Sequence, residues 1–349
     1  MLKEAEARTA ALTEPIETVY LGGGTPSVLP AGLLEKLIGG LRQIFPFDRV
    51  TEFTVEANPG TVTPAWLQTA AHVGINRISL GMQACQDGLL RFLGRIHRFE
   101  DVQHSVALAR ENGLQNINLD LMFGIPGQTR SMWQETMGKA LALQPTHISA
   151  YGLIPEENTP LYDDLKNGKY ALPDPDEERE MYDDAIRLLA RNGYRQYEIS
   201  NFAREGYECR HNIGYWTQVP YLGLGLSAAS MTGITISPEG MTYTRRTNPA
   251  TLDEYERMLR GDESLLQTEE ISPPEARFET LMLGLRMNRG VSDERFLSLH
   301  GKTMEDFYGK ELIKLSQEGL IIHRDGCLRL TRRGFDLQNT VLVELMKDD

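Results

Sequence analysis

A recurrence constrains this chain most. Short runs of β-branched, aromatic and aliphatic residues start near residues 18, 52, 77, 117 and 147, and a stretch with helical character separates each from the next. Strands joined by crossovers of helical length pair in parallel, and the crossovers are right-handed. The pattern therefore predicts an α/β fold built on a parallel sheet. In such folds the carboxyl ends of the strands gather on one side, where ligands bind.

The first of these strand ends is the most distinctive. Thr18-Val19-Tyr20-Leu21 runs into Gly22-Gly23-Gly24-Thr25-Pro26, and a helix follows with apolar residues at Leu33, Leu34, Leu37 and Leu41. Three glycines in a row leave backbone groups uncovered, so a ligand can approach the chain itself. A loop that merely needs positive φ angles explains the same residues equally well. The later strands end at Glu56, Gln83, Asp120 and Tyr151, so the fold would gather five polar ends on one face. Between them, Thr63-Pro64 and Thr129 read as helix starts and Gly113 as a helix stop.

Charge and composition narrow the function. A net charge of -13 and a pI near 5.1 argue against sequence-independent nucleic-acid binding, which relies on positive charge. The N-terminus is charged and helix-prone, so it does not read as a signal peptide. The longest uncharged run, 217–238, is broken by Gly and Pro, which speaks against stable membrane insertion. Cys85, Cys209 and Cys327 are far apart and odd in number, which suggests a reducing cytoplasm and no disulfide framework.

Beyond Pro155 the repeat fades. Residues 174–192 form an acidic helix with an apolar stripe at Met181, Ala185, Leu188 and Leu189. Cys209 and His211 have the look of half a metal site, but two ligands without partners read better as a polar loop. Gly223 to Ala228 fits G-x-G-x-x-A, yet no clean strand precedes it, so no nicotinamide or flavin site is read there. From Ile271 onward come helices at 275–288 and 304–318, then a hairpin turning at Asp325-Gly326, then Thr331 capping a last helix. That order predicts a winged-helix-like module. Without a basic recognition helix, its expected role is packing or a lid rather than DNA reading.

Six motifs occur in order: Gly22-Gly23-Gly24-Thr25-Pro26, Val55-Glu56-Ala57-Asn58-Pro59, Ser79-Leu80-Gly81-Met82-Gln83, Gly94-Arg95-Ile96-His97, Asn118 to Thr129, and His211-Asn212-Ile213-Gly214-Tyr215-Trp216. Together they resemble the oxygen-independent coproporphyrinogen III oxidase family of radical S-adenosylmethionine (SAM) proteins, and most of all its heme-chaperone branch. The resemblance implies a partial TIM-like (β/α) barrel over 1–205, a connecting segment over 206–270, and a small α+β winged-helix-like domain over 271–349. It implies SAM held by Gly23, Gly24, Thr25, Glu56, Gln83, Arg95 and Asp120, with Ile154 beside the adenine. It implies heme on His211, since an imidazole is a good axial ligand. The function so implied is a carrier that binds heme and passes it to an acceptor protein in the cytoplasm. The alternatives are an enzyme that oxidatively decarboxylates coproporphyrinogen III in porphyrin biosynthesis, or an inactive fragment.

The chain departs from the family in two places. Members carry C-x3-C-x2-C before the glycine loop, and its three thiolates hold a [4Fe-4S] cluster. None of Cys85, Cys209 and Cys327 has that spacing. The expectation is a chain shortened at its front by about one βα unit, roughly 30 to 50 residues, that does not assemble the cluster and binds SAM weakly. Ala228-Ala229-Ser230 also stands where the family more often has a His before the Ser, which weakens the case for a second porphyrin-directed imidazole.

Overall fold

The computed structural model describes residues 1–12 and 14–346. The chain divides into two compact units. One holds Glu17–Gly39 and Val50–Cys209. The other gathers the described residues of Met1–Ile16, Gly40–Arg49 and those from Arg210 onward.

The first unit is the expected α/β fold. Strands β1 (Thr18–Leu21), β2 (Glu52–Ala57), β3 (Arg77–Gln83), β4 (Asn116–Phe123) and β5 (His147–Gly152) lie side by side in chain order and pair in parallel. Two short strands, β6 (Arg195–Gln196) and β7 (Asn201–Ala203), extend the sheet, and β7 pairs antiparallel to β5. The helix caps fall where the sequence placed them. Thr63 and Thr129 accept from the backbone N–H groups of Trp66 and Met132. Asp174 caps the acidic helix Pro175–Arg191.

The sheet has two unlike faces. Successive side chains on a strand point to opposite sides. On one side Val55, Ile78, Leu80, Leu119 and Ile148 are buried in an apolar layer. On the other, the register aligns Glu56 with Ser79, Ser79 with Asn118, Asn118 with His147, and Asp120 with Ser149. This second face is mostly polar, and Arg77, Ser79, Asn118 and His147 on it are all buried. A buried polar face needs its hydrogen bonds satisfied internally, and those bonds organise the candidate site.

In the other unit, β8 (Ala229–Ser237), β9 (Gly240–Thr247) and β10 (Gln267–Ile271) form an antiparallel sheet that the sequence reading did not anticipate. The N-terminal helix Leu2–Ala7 belongs here. Its buried Glu4 accepts from Asn248 Nδ2 at 2.6 Å, Tyr255 Oη at 2.6 Å and the Gly225 N–H at 2.9 Å. The C-terminal module has the expected hairpin after its helices, but with a third helix, Asp293–His300, between the two the sequence predicts. Helices Pro273–Gly284, Asp293–His300 and Met304–Gln317 precede the hairpin of β12 (Ile321–Arg324) and β13 (Cys327–Leu330). The short β11 (Val291–Ser292) pairs with β13. The stretch Gly223 to Ala228 leads into β8, not into a helix, so the strand-to-helix turn of a dinucleotide site is missing there.

Candidate functional site

The glycine loop follows β1 directly. Gly23 and Gly24 adopt φ of 78° and 139°, and a methyl group on either would meet no atom within 4 Å. Their backbone therefore borders open space. Gly22 differs, because a Cβ there would lie 2.8 Å from Tyr20 Cε1 and 3.0 Å from the Glu56 carboxylate.

Two of the residues singled out from sequence, Thr25 and Arg95, are joined through Asn58 in one hydrogen-bonded chain. Asn58 Nδ2 donates to Thr25 Oγ1 at 3.0 Å, and Arg95 Nη1 donates to Asn58 Oδ1 at 3.2 Å. Asn58 thus ties the glycine loop to the guanidinium. Tyr20 Oη donates to Glu56 Oε1 at 2.7 Å, and burial beside that carboxylate pushes the Tyr20 phenol far up, so it stays a donor. Gln83 sits at φ 60°, where β3 breaks register with β4, and its Oε1 accepts from Tyr151 Oη at 3.3 Å. A left-handed φ on a buried non-glycine residue is uncommon and re-aims its side chain.

Asp120 is the most elaborately supported group. Ser79 Oγ donates to its Oδ2 at 2.9 Å, and Asn118 Nδ2 to its Oδ1 at 2.7 Å. Burial raises the Asp120 pKa, and hydrogen bonds from Ser79, Ser149 and Asn118 pull against that rise. Ile154 is different in kind. It lies just beyond β5 and is 76% exposed, an apolar side chain presented to solvent.

His211 lies in the other unit. The segment read as a polar loop is a helix, Arg210–Trp216, which begins immediately after the buried Cys209. Helical spacing puts His211 and Tyr215 on one face. Their rings meet edge to face at 4.9 Å, with Nε2 3.1 Å from the Tyr215 hydroxyl. Tyr215 in turn meets Tyr221 at 4.7 Å, and the Arg286 guanidinium lies over the Trp216 ring at 4.4 Å. Cys209 has its own partner, its thiol facing Glu52 Oε1 at 3.5 Å. Among the described residues, no group of three or more His, Cys, Asp or Glu could hold a metal ion.

Tyr20, Asn58, Ser79, Asn118 and His147 were not singled out from sequence as site residues. The signal was present as strict alternation in Glu52-Phe53-Thr54-Val55-Glu56, Ile117-Asn118-Leu119-Asp120 and His147-Ile148-Ser149-Ala150-Tyr151. A parallel strand covered on both faces by apolar layers reads as a continuous apolar run. Alternation in three such strands marks a face reserved for polar chemistry.

Comparison with known proteins agrees with this architecture. The radical SAM superfamily matches residues 2–140 and the HemN C-terminal domain residues 271–337. The chain is 36% identical over 328 residues to heme chaperone HemW of Bacillus subtilis (strain 168), covering 93% of this chain and 84% of the relative. It is 34% identical over 336 residues to heme chaperone HemW of Lactococcus lactis, covering 96% and 86%. Among solved structures it resembles coproporphyrinogen III oxidase (HemN) from Escherichia coli, with a TM-score of 0.80 at 21% identity over 99% of this chain and 81% of that one. The chain belongs to the HemN-like family of radical SAM proteins, on the side of its heme chaperone HemW members.

Proposed function

We propose that this chain is a heme carrier of the HemW kind, which binds heme through His211 and passes it to an acceptor protein. The observation that supports this most strongly is the chain-long identity to proteins named heme chaperone HemW. No helix among the described residues is long and apolar enough to cross a membrane. Among the described residues Cys85, Cys209 and Cys327 form no disulfide, which supports work in a reducing cytoplasm.

The family implies SAM and a [4Fe-4S] cluster. The residues of the barrel unit fit SAM. The open backbone at Gly23 and Gly24 offers room for its methionyl part, with Thr25 beside it. Arg95 suits a carboxylate, while Glu56, Asp120 and Gln83 suit an ammonium and ribose hydroxyls. Ile154 offers an apolar surface to the adenine. The three cysteines do not fit a cluster. Cys85 is buried against Thr136 Oγ1, Cys209 is buried on Glu52, and Cys327 stands in β13 of the other unit. When bound, SAM supplies a sulfonium and an adenosyl group. This chain's own contribution is to orient its charged ends.

Heme is cargo here. A neutral His211 imidazole would ligate its iron, and Tyr215, Tyr221 and Trp216 would offer aromatic faces to the porphyrin. Nε2 is engaged by Tyr215, so iron must compete with that hydroxyl for the nitrogen. The test is a heme titration followed by Soret absorbance. His211→Ala should weaken binding at least tenfold or shift the band, with an unchanged circular dichroism spectrum. Tyr215→Phe should bind at least as tightly as wild type. Equal binding by wild type and His211→Ala removes His211 as the ligand, and no binding by either removes the carrier reading.

A further inference from the structure

Behind the strand-end residues of the barrel unit, a line of buried polar groups converges on Asp120. The backbone N–H of Cys209 donates to Tyr197 Oη at 3.3 Å. That oxygen is 2.8 Å from His147 Nε2. His147 Nδ1 is 2.6 Å from Asn118 Oδ1, and Asn118 Nδ2 is 2.7 Å from Asp120 Oδ1.

Chemistry fixes the direction of every link. A carboxylate only accepts, so Asn118 must turn its NH2 toward Asp120 and its carbonyl toward His147. His147 Nδ1 must then carry a proton. If the ring is neutral, Nε2 is bare and accepts from the Tyr197 hydroxyl. Burial and the nearby Arg77 guanidinium push the His147 pKa well down, which keeps the ring neutral. His147 is 0% exposed and Asn118 2%, while Asp120 is half-buried at the open end of the line. If stability alone were at stake, an apolar core would serve without the desolvation these groups incur. A satisfied polar network instead fixes one rotamer and one tautomer.

We propose that Asn118 and His147 are positioning residues that hold the Asp120 carboxylate fixed as an acceptor for the hydrogen-bond donors of SAM. This rests on the SAM reading above. Ser79, which donates to the other Asp120 oxygen, completes the clamp.

A thermodynamic cycle on the full chain tests it, with SAM itself titrated by calorimetry. His147→Leu should weaken SAM binding about tenfold, and Ser79→Ala, a smaller change, about threefold. His147→Gln, which keeps a donor facing Asn118, should recover most of the loss. In an Asp120→Ala background none of the three should alter the affinity further. Selective 15N labelling of the seven histidines should show His147 protonated on Nδ1 from pH 6 to 8. Equal losses with and without the Asp120 carboxylate, or a proton on Nε2, would overturn the proposal while leaving SAM binding intact. A wild-type chain that binds no SAM overturns the SAM reading and this proposal together.

Discussion

Gly22, Gly23 and Gly24 stand side by side but owe their identity to different forces. Gly23 and Gly24 need φ angles that side chains rarely adopt, while space around them is open. Gly22 lacks room, being pressed against Tyr20 and Glu56. Gly23→Ala should therefore cost about 1 kcal/mol of backbone strain and leave Glu56 in place. Gly22→Ala should cost about 1–3 kcal/mol, because the Tyr20–Glu56 pair must shift. Chemical denaturation measures both, and Tyr20 fluorescence or a crystal structure shows whether the pair moved. The glycine run and the acids at strand ends were legible in the sequence because each stands beside a strand signal. Asn58 as the tie between Thr25 and Arg95 was not, since it depends on loops 33 and 37 residues apart meeting in space.

At the scale of elements, local rules carried most of the fold. The five parallel strands, the Thr63 and Thr129 caps and the Asp325-Gly326 hairpin all follow from patterns within a few residues. The β8–β10 sheet escaped because its first strand, Ala229–Ser237, is rich in small residues and only half alternates, with a register irregularity between Thr232 and Thr235. The HNxxYW helix escaped because Gly214 and β-branched Ile213 lower its helix propensity. Gly290 marks where an element tolerates nothing larger. At φ 71°, a Cβ there would lie 2.0 Å from the Leu328 carbonyl oxygen, on the strand that pairs with β11. Gly290→Ala should cost about 3 kcal/mol or more. It should unpair Val291 from Leu328, which hydrogen exchange of the Leu328 and Cys327 amides would report. A stability within 1 kcal/mol of wild type would contradict this packing.

For the whole molecule, acid is the informative perturbant. His300 is 1% exposed, bonded through Nε2 to Thr280 Oγ1 at 2.9 Å, and packed against Phe296. Burial, then the Arg277 charge, lowers its pKa to about 4. The unfolded chain, with an ordinary value near 6.5, binds the proton first as pH falls. Its contribution is therefore full above about pH 6.5 and is lost as pH drops toward 4. His147, lowered for the same reasons, acts in the same direction. Melting temperatures of wild type and His300→Gln should converge between pH 7 and pH 4.5, the variant giving a flatter slope by an amount worth on the order of 2 kcal/mol. Parallel slopes would mean that folding does not lower the His300 pKa.

The ties that close the second unit span the chain almost end to end. Glu4 meets Asn248 and Tyr255 across 244 and 251 residues. During synthesis this has a consequence for timing. Every residue of the barrel unit has left the ribosome once Cys209 is clear, whereas the N-terminal helix must wait for Asn248 and Tyr255 to be made. Asn248 and Tyr255 lie 39 and 46 residues beyond Cys209, so at about 5–20 residues per second the helix closes on the order of two to ten seconds after the barrel unit is complete. Throughout that interval, the side that Ala5 and Glu4 bury in the finished protein stays uncovered. Proteolysis of arrested nascent chains should find residues 1–12 still cleavable when the barrel unit is complete, and protected once Asn248 and Tyr255 have emerged.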